Sequence, residues 1–331
     1  MQPLLTSITC FAASLTTCYI LVPRVMVWAT KRGITGIDIH KPEKPTIPEM
    51  GGIAILIGLT ISTCLASLLD QRNIIEYLSF ILTVHIAGVV GAIDDFRPIG
   101  PRLKPVLTAL AAAPIYFLNT YTPRPALPVI GRVRLTIAYP LLLPFAITIP
   151  ANAVNMMDVM NGTMAGTSVL TLTAIVIASL LLGRWDTIIL CCGLVGSLAA
   201  FYAYNRYPAK VFPGDVGALP VGAAIGAIAI TGRVEVVAIV AIMPQIMNAF
   251  YGLSSIGRLY DRAQTARPIS LRSDGTLAAT KDRHAPITLT RMILASAPMK
   301  ETDVSKSFMV LSALSCILAI ATAILTWGVP V

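Results

Sequence analysis

The feature that most constrains this chain is the recurrence of apolar runs long enough to cross a bilayer. A spanning α-helix needs about 20 predominantly apolar residues. Runs of that kind fall near 5–28, 51–69, 77–93, 105–120, 139–157, 163–182, 187–204, 216–231, 234–253 and 308–327. The pattern predicts an all-α polytopic membrane protein with about ten transmembrane helices, forming one integral domain over 1–331. Composition agrees: 12% of residues are charged, against about 25% in soluble domains, and mean hydropathy is +0.77. The first run lacks a basic leader and a small-residue cleavage site, so it is expected to stay as the first span. Cys10, Cys18, Cys64, Cys191, Cys192 and Cys316 all sit in apolar runs, without zinc or disulfide spacing, and read as small packing residues.

Lysine and arginine set the expected orientation. Four lie in 29–50, three in 97–104, two in 205–215 and nine in 254–307. The alternate connections hold six: Arg72, Arg124, Arg132, Arg134, Arg184 and Arg233. Eighteen against six, with Arg24 set aside, puts both termini outside and the odd-numbered connections in the cytoplasm. The net charge of +9 then reflects loop orientation and attraction for anionic lipid or phosphate. It is too diluted by apolar sequence to indicate nucleic acid.

Polar clusters gather on that same expected face. The densest is Asn152–Gly166, NAVNMMDVMNGTMAG. Residues three apart share a helix face, so Asn152, Asn155 and Asp158 would line one side, with Asn161-Gly162 ending the turn. Grouped carbonyl and carboxylate oxygens suit a hard cation or a phosphorylated substrate; a plain polar loop between spans is the bland alternative. Asp94-Asp95 closes the third run as GAIDDF. Adjacent helix positions point about 100° apart, so one carboxylate can face a ligand while the other is held by a nearby cation. Two acids snorkelling to water is the competing reading, and cost at membrane depth favours function. Asp215 follows a Pro213-Gly214 turn in VFPGDVG, beside Phe212, whose ring could stack a flat base. Arg283-His284 lies in the largest loop, 254–307, and an arginine fork suits diphosphate. A cation- or proton-coupled transporter is the rival class, but its acids should lie at the bilayer midplane between repeats, and neither a repeat nor a midplane cluster is seen.

Taken jointly, KPTIPEMGG (44–52), GAIDDFRPIGPRLK (91–104), NAVNMMDVMNG (152–162) and VFPGDVG (211–217) resemble the polyprenyl-phosphate N-acetylhexosamine-1-phosphate transferases. MPQIMNAFY (243–251) resembles the dolichyl-phosphate GlcNAc-1-phosphate transferase branch of archaea and eukaryotes. The resemblance implies transfer of a sugar-1-phosphate from a UDP-N-acetylhexosamine to a polyprenyl or dolichyl phosphate, with release of UMP. It implies Mg²⁺, with Mn²⁺ as a substitute, held by Asn155 and Asp215. It matches Asp94 and Asp95 to the family's aspartate pair and Lys104 to its phosphate-contacting lysine. Asn161 and Phe212 match uridine contacts, and Glu49 the acid where the lipid phosphate approaches. Asp158 is similar to the bacterial muramoyl-pentapeptide branch and is expected beside the metal. The family's Pro-Arg-His-Arg and His-rich runs are both absent. Arg283-His284 is the nearest substitute, with Arg267-Pro268 as a rival, and 254–307 is the expected recognition loop. A cytoplasm-facing active site in the cell membrane and GlcNAc as the sugar follow as expectations. Self-association into a homodimer is left open.

Overall fold

Apolar composition makes nearly every run a helix. In chain order the computed structural model has α1 (Gln2–Lys31), α2 (Gly52–Leu69), α3 (Ile74–Phe96), α4 (Leu103–Ala109), α5 (Ala113–Phe117), α6 (Ala138–Met157) and α7 (Thr163–Leu181). There follow α8 (Trp185–Asn205), α9 (Asp215–Thr231), α10 (Glu235–Ala241), α11 (Met243–Ile256), α12 (Leu289–Ile293) and α13 (Glu301–Thr326). The structure describes residues 2–257, 259 and 265–326. Arg258 and Arg262 of the expected recognition loop, and the end of the last expected span at 327, lie outside the described residues. Three short antiparallel strand pairs decorate the connections: β1 (Thr35–Ile37) with β2 (Thr46–Pro48), β3 (Ala126–Leu127) with β4 (Gly131–Arg132), and β5 (Ile269–Leu271) with β6 (Leu277–Ala279).

Each of the ten expected runs is helical, but they are not ten equivalent crossings. Among the described residues seven helices are long and apolar enough to span, namely α1, α2, α3, α6, α7, α8 and α13. The count becomes eight if α10 and α11, which meet at a 66° bend, form one span. Pro244, in the first turn of α11, lacks the N–H that would carry the ladder across this bend. The fourth run is interrupted by a 3₁₀ turn at Leu110–Ala112, with Pro114 starting α5. The eighth run, α9, has 17 residues.

That short helix is the centre of the bundle. Every residue of α9 from Val216 to Ile230 is buried, as expected of a helix apolar on all sides. Close approach to α6 explains its glycines. A Cβ at Gly222 would lie 2.2 Å from the Pro150 carbonyl oxygen, and one at Gly226 2.3 Å from that of Ala146. This small-xxx-small spacing lets two backbones meet where lipid supplies no hydrophobic drive to join them.

The C-terminal ends of α3, α6 and α8 and the N-terminal end of α9 meet at a single cleft, which Asn248 of α11 also lines. The N-terminal ends of α4 and α13 stand behind it, bonded to Asp215 through Lys104 and to Asn161 through Glu301. The connections β1–β2 and 265–290 cover it. We expect this end to face the cytoplasm. A cysteine at Ser273, on the exposed turn between β5 and β6, should react with an impermeant maleimide only in inverted vesicles, in a Cys64→Ser background. Labelling in intact cells would reverse the orientation.

Candidate active site

Two motifs far apart in sequence fold as one unit. Phe212 donates its backbone N–H to the Pro48 carbonyl, while Gly51 and Gly52 donate theirs to the carbonyls of Phe212 and Pro213, each at 2.9 Å. Gly52 must be glycine, since a Cβ there would stand 2.1 Å from Gly217 Cα. The turn that presents Asp215 is thereby clamped onto the start of α2.

The aspartate pair diverges as neighbouring helix positions do. Asp95 turns to α9, accepting the backbone N–H of Asp215 at 2.8 Å on Oδ1 and that of Val216 at 2.9 Å on Oδ2. Asp94 accepts the Lys104 ammonium at 2.8 Å on Oδ2, with the Ile99 N–H on Oδ1. Lys104 also pairs with Asp215. A chain of charge, Asp94–Lys104–Asp215, therefore joins α3, α4 and α9.

Around this core lies a cleft of about 540 Å³. Of the residues named from sequence, Glu49, Asp95, Asn155, Asp158, Asn161, Phe212 and Asp215 line it. Asp94 and Lys104 stand just behind, reaching it through Asp215. Arg283 and His284 are exposed and do not line it, whereas Arg267 does. Asn152 departs from the face expected of it. Its amide donates to Thr108 Oγ1 at 3.1 Å and to the Thr148 carbonyl at 2.8 Å. A three-residue step on a helix falls about 60° short of a full turn, so Asn152 and Asn155, both inside α6, diverge, while the helix ends at Asp158 with ψ of 70°. Asn161 is 7% exposed and its carboxamide is engaged by protein. It donates to Asp38 at 3.0 Å and to Glu301, and accepts the Ala209 N–H at 3.1 Å.

Sequence reasoning passed over Asp38, His40, Asn205, Asn248 and Thr290, which all line the cleft. Asp38 and His40 sit in a basic loop and look solvated in one dimension. Asn248 lies inside a motif already singled out and could have been found there. It donates to the Met156 carbonyl at 2.9 Å and accepts the Leu289 N–H at 3.1 Å, tying α6, α11 and the long loop together. Burial pushes the Glu49 carboxyl above its usual range. Burial also holds the His40 imidazole below its usual value, against the opposing pull of Asp38.

The donor set suits a hard divalent cation. Carboxylates from Asp158 and Asp215 and the amide of Asn155 share one cleft with no cysteine among the lining residues, the oxygen chemistry that Mg²⁺ and Mn²⁺ prefer.

Apolar helices enclosing an acidic, amide-rich cleft at one end describe a membrane enzyme, and comparison with known proteins says of which kind. Residues 77–233 match glycosyl transferase family 4. A Saccharolobus solfataricus protein, provisionally named as a UDP-N-acetylglucosamine–dolichyl-phosphate N-acetylglucosaminephosphotransferase, is 30% identical over 257 residues, 73% of this chain and 80% of its own. A Sulfolobus acidocaldarius protein with the same provisional name is 34% identical over 210 residues, 61% of this chain and 64% of its own. The phospho-N-acetylmuramoyl-pentapeptide-transferase of Anoxybacillus flavithermus is 33% identical over 218 residues, 62% of this chain and 67% of its own. The chain is a polyprenyl-phosphate hexosamine-1-phosphate transferase. It belongs to glycosyl transferase family 4.

The hold of Asp95 on α9 is directly testable. An amide at this position can accept through one atom only, so Asp95→Asn leaves a buried N–H unpaired. Unfolding free energy in detergent should fall by about 1–3 kcal/mol, read by denaturant titration, with transferase activity falling as well. An unchanged midpoint would show that α9 does not depend on this carboxylate.

Proposed function

We propose that the protein transfers N-acetylglucosamine-1-phosphate from UDP-GlcNAc to a polyprenyl or dolichyl phosphate at the cytoplasmic face, in the first membrane step of N-glycan-type assembly. The observation that carries this reading is the convergence of Asn155, Asp158, Phe212 and Asp215 on one cleft. The provisional names of two archaeal relatives favour GlcNAc and dolichyl phosphate.

In this reading an oxygen of the lipid phosphate attacks the β-phosphorus of the UDP-sugar. The bond from that phosphorus to the oxygen bridging to the α-phosphate breaks, and UMP leaves with the bonding pair. Asn155 and Asp215, with Asp158 beside them, would hold Mg²⁺, which supplies charge neutralisation for the diphosphate. Phe212 stacks the uracil ring. Lys104 balances phosphate charge from its place between Asp94 and Asp215. Glu49 flanks the approach of the lipid phosphate. Asn161 acts through the cleft wall, since its carboxamide already bonds Asp38, Glu301 and Ala209. Arg267, which lines the cleft, takes the diphosphate contact in place of exposed Arg283-His284.

Direct attack needs no general base. A phosphate monoester has a second pKa near 6, so the lipid phosphate is largely dianionic at pH 7. Every carboxylate oxygen of Asp94 and Asp95 already accepts a hydrogen bond, which supports a positioning role over a nucleophilic one.

The decisive experiment is a donor panel: purified protein, Mg²⁺ and a short polyprenyl phosphate, with UMP release measured for each UDP-sugar. UDP-GlcNAc should turn over fastest, excess EDTA should abolish turnover, and Asp215→Asn should lose most of it. Preference for another UDP-sugar would overturn the donor, and full turnover in EDTA would overturn the metal.

Two substitutions probe the nucleotide end. Base–aromatic stacking is worth about 1–3 kcal/mol, so Phe212→Ala should weaken UMP inhibition by roughly five- to a hundredfold, with less change in KM for the lipid. Charge-assisted hydrogen bonds contribute about 1.5–3 kcal/mol, so Arg267→Ala should raise KM for UDP-GlcNAc by roughly ten- to a hundredfold. Arg283→Ala should change it little; the reverse ranking would return the contact to Arg283-His284.

A further inference from the structure

At the edge of the cleft, where Asp38 and His40 join its lining, stands a group of side chains that the transfer reaction does not use. Asp38 follows β1 and Glu301 opens α13; they are 3% and 5% exposed. With His40 they bring one ligand atom each to within 4.8 Å of one another. Two acids so deeply buried need partners. Asn161 supplies some, donating its amide to Asp38 Oδ2 and Glu301 Oε1 and its backbone N–H to the same Oε1 at 3.0 Å. Lys41 supplies another, also at Asp38 Oδ2, with its ammonium 4.8 Å from the Tyr207 ring centroid.

These partners crowd onto one oxygen of each carboxylate. Asp38 Oδ1 is left with a long 3.4 Å contact from the His40 backbone N–H. Glu301 Oε2 is buried and has no hydrogen-bond partner among the described residues. A buried carboxylate oxygen left so is costly, and one lysine offsets only one of the two charges. An imidazole nitrogen joined to two such oxygens is a ligand set for Mn²⁺ or Zn²⁺ rather than for Mg²⁺, which takes oxygen and water.

We propose that Asp38, His40 and Glu301 form a second divalent transition-metal site, separate from the oxygen set of the cleft wall. The ion ties the β1–β2 connection to the start of α13. Through Asn161, which bonds both carboxylates, it also fixes the turn between α6 and α7 that borders the cleft. The site stands independently of which sugar is transferred.

The test is pulsed electron paramagnetic resonance on tag-free, full-length protein in detergent loaded with Mn²⁺. Oxygen ligands such as Asp215 give no ¹⁴N coupling to Mn²⁺, whereas an imidazole does. The expected result is a nitrogen-coupled Mn²⁺ that persists in Asp215→Asn and disappears in His40→Gln. Glu301→Gln should weaken Mn²⁺ binding by at least the roughly tenfold that loss of even an outer-shell partner costs. The chain has three histidines, so a His85→Gln, His284→Gln chain retains His40 alone. That variant must keep the coupling, and it decides the matter even if His40→Gln fails to fold. No nitrogen-coupled Mn²⁺ in the wild type, its loss from the His40-only chain, or its survival in His40→Gln would each overturn the proposal.

Discussion

The N-terminus of α9 is held by a carboxylate from another helix, and the architecture of the cleft depends on that hold. A helix start leaves four N–H groups without intrahelical partners, and the start of α9 is almost wholly enclosed by protein. Asp95 accepts two of these groups. Because α9 is buried from Val216 to Ile230, water has little access to do the same. The carboxylate at the end of α3 thus makes a buried helix start tolerable and sets the distance between α3 and α9.

That arrangement also orders the charge. With Asp95 committed to backbone, Asp94 is left to Lys104, and Lys104 reaches across to Asp215. Acid and base alternate through three helices, so Asp215 enters the cleft with its position already determined. The glycine contact of Gly52 with Gly217 and the hydrogen bonds from 48–52 to 211–213 secure the same turn from the other side. A substrate phosphate therefore meets preorganised groups, the condition under which electrostatic stabilisation is strongest.

The bundle pays for a polar cleft with small residues elsewhere. Gly222 and Gly226 bring α9 against α6, and Asn155 and Asp158, at the far end of α6, line the same cleft as Phe212. The bend between α10 and α11 lets Asn248 reach the end of α6 and the long loop together. Shortness in α9 is a consequence of the same design, since a segment enclosed by other helices need not match the bilayer's thickness.

Much was determined by sequence alone. Apolar run length dictated helices, because twenty consecutive apolar residues leave the backbone no better way to satisfy itself. The motifs around Asp94-Asp95, Asn155 and Asp215 were legible because polar side chains stand out against hydrocarbon, and they carried the family resemblance that comparison then showed. Tertiary structure decided what spacing could not. Whether a run spans depends on enclosure by neighbours, which no window of hydropathy measures. Asn152 shares a sequence period with Asn155, yet turns to Thr108 and Thr148, because a three-residue step on a helix falls about 60° short of a full turn. Arg267 and Arg283 are equivalent basic loop residues in one dimension, and only the path of the loop brings the first to the cleft. Asp38 and Glu301 look like ordinary loop and helix-start acids until the fold buries them side by side. Local pattern fixes what a segment is; long-range packing fixes which of its side chains meet.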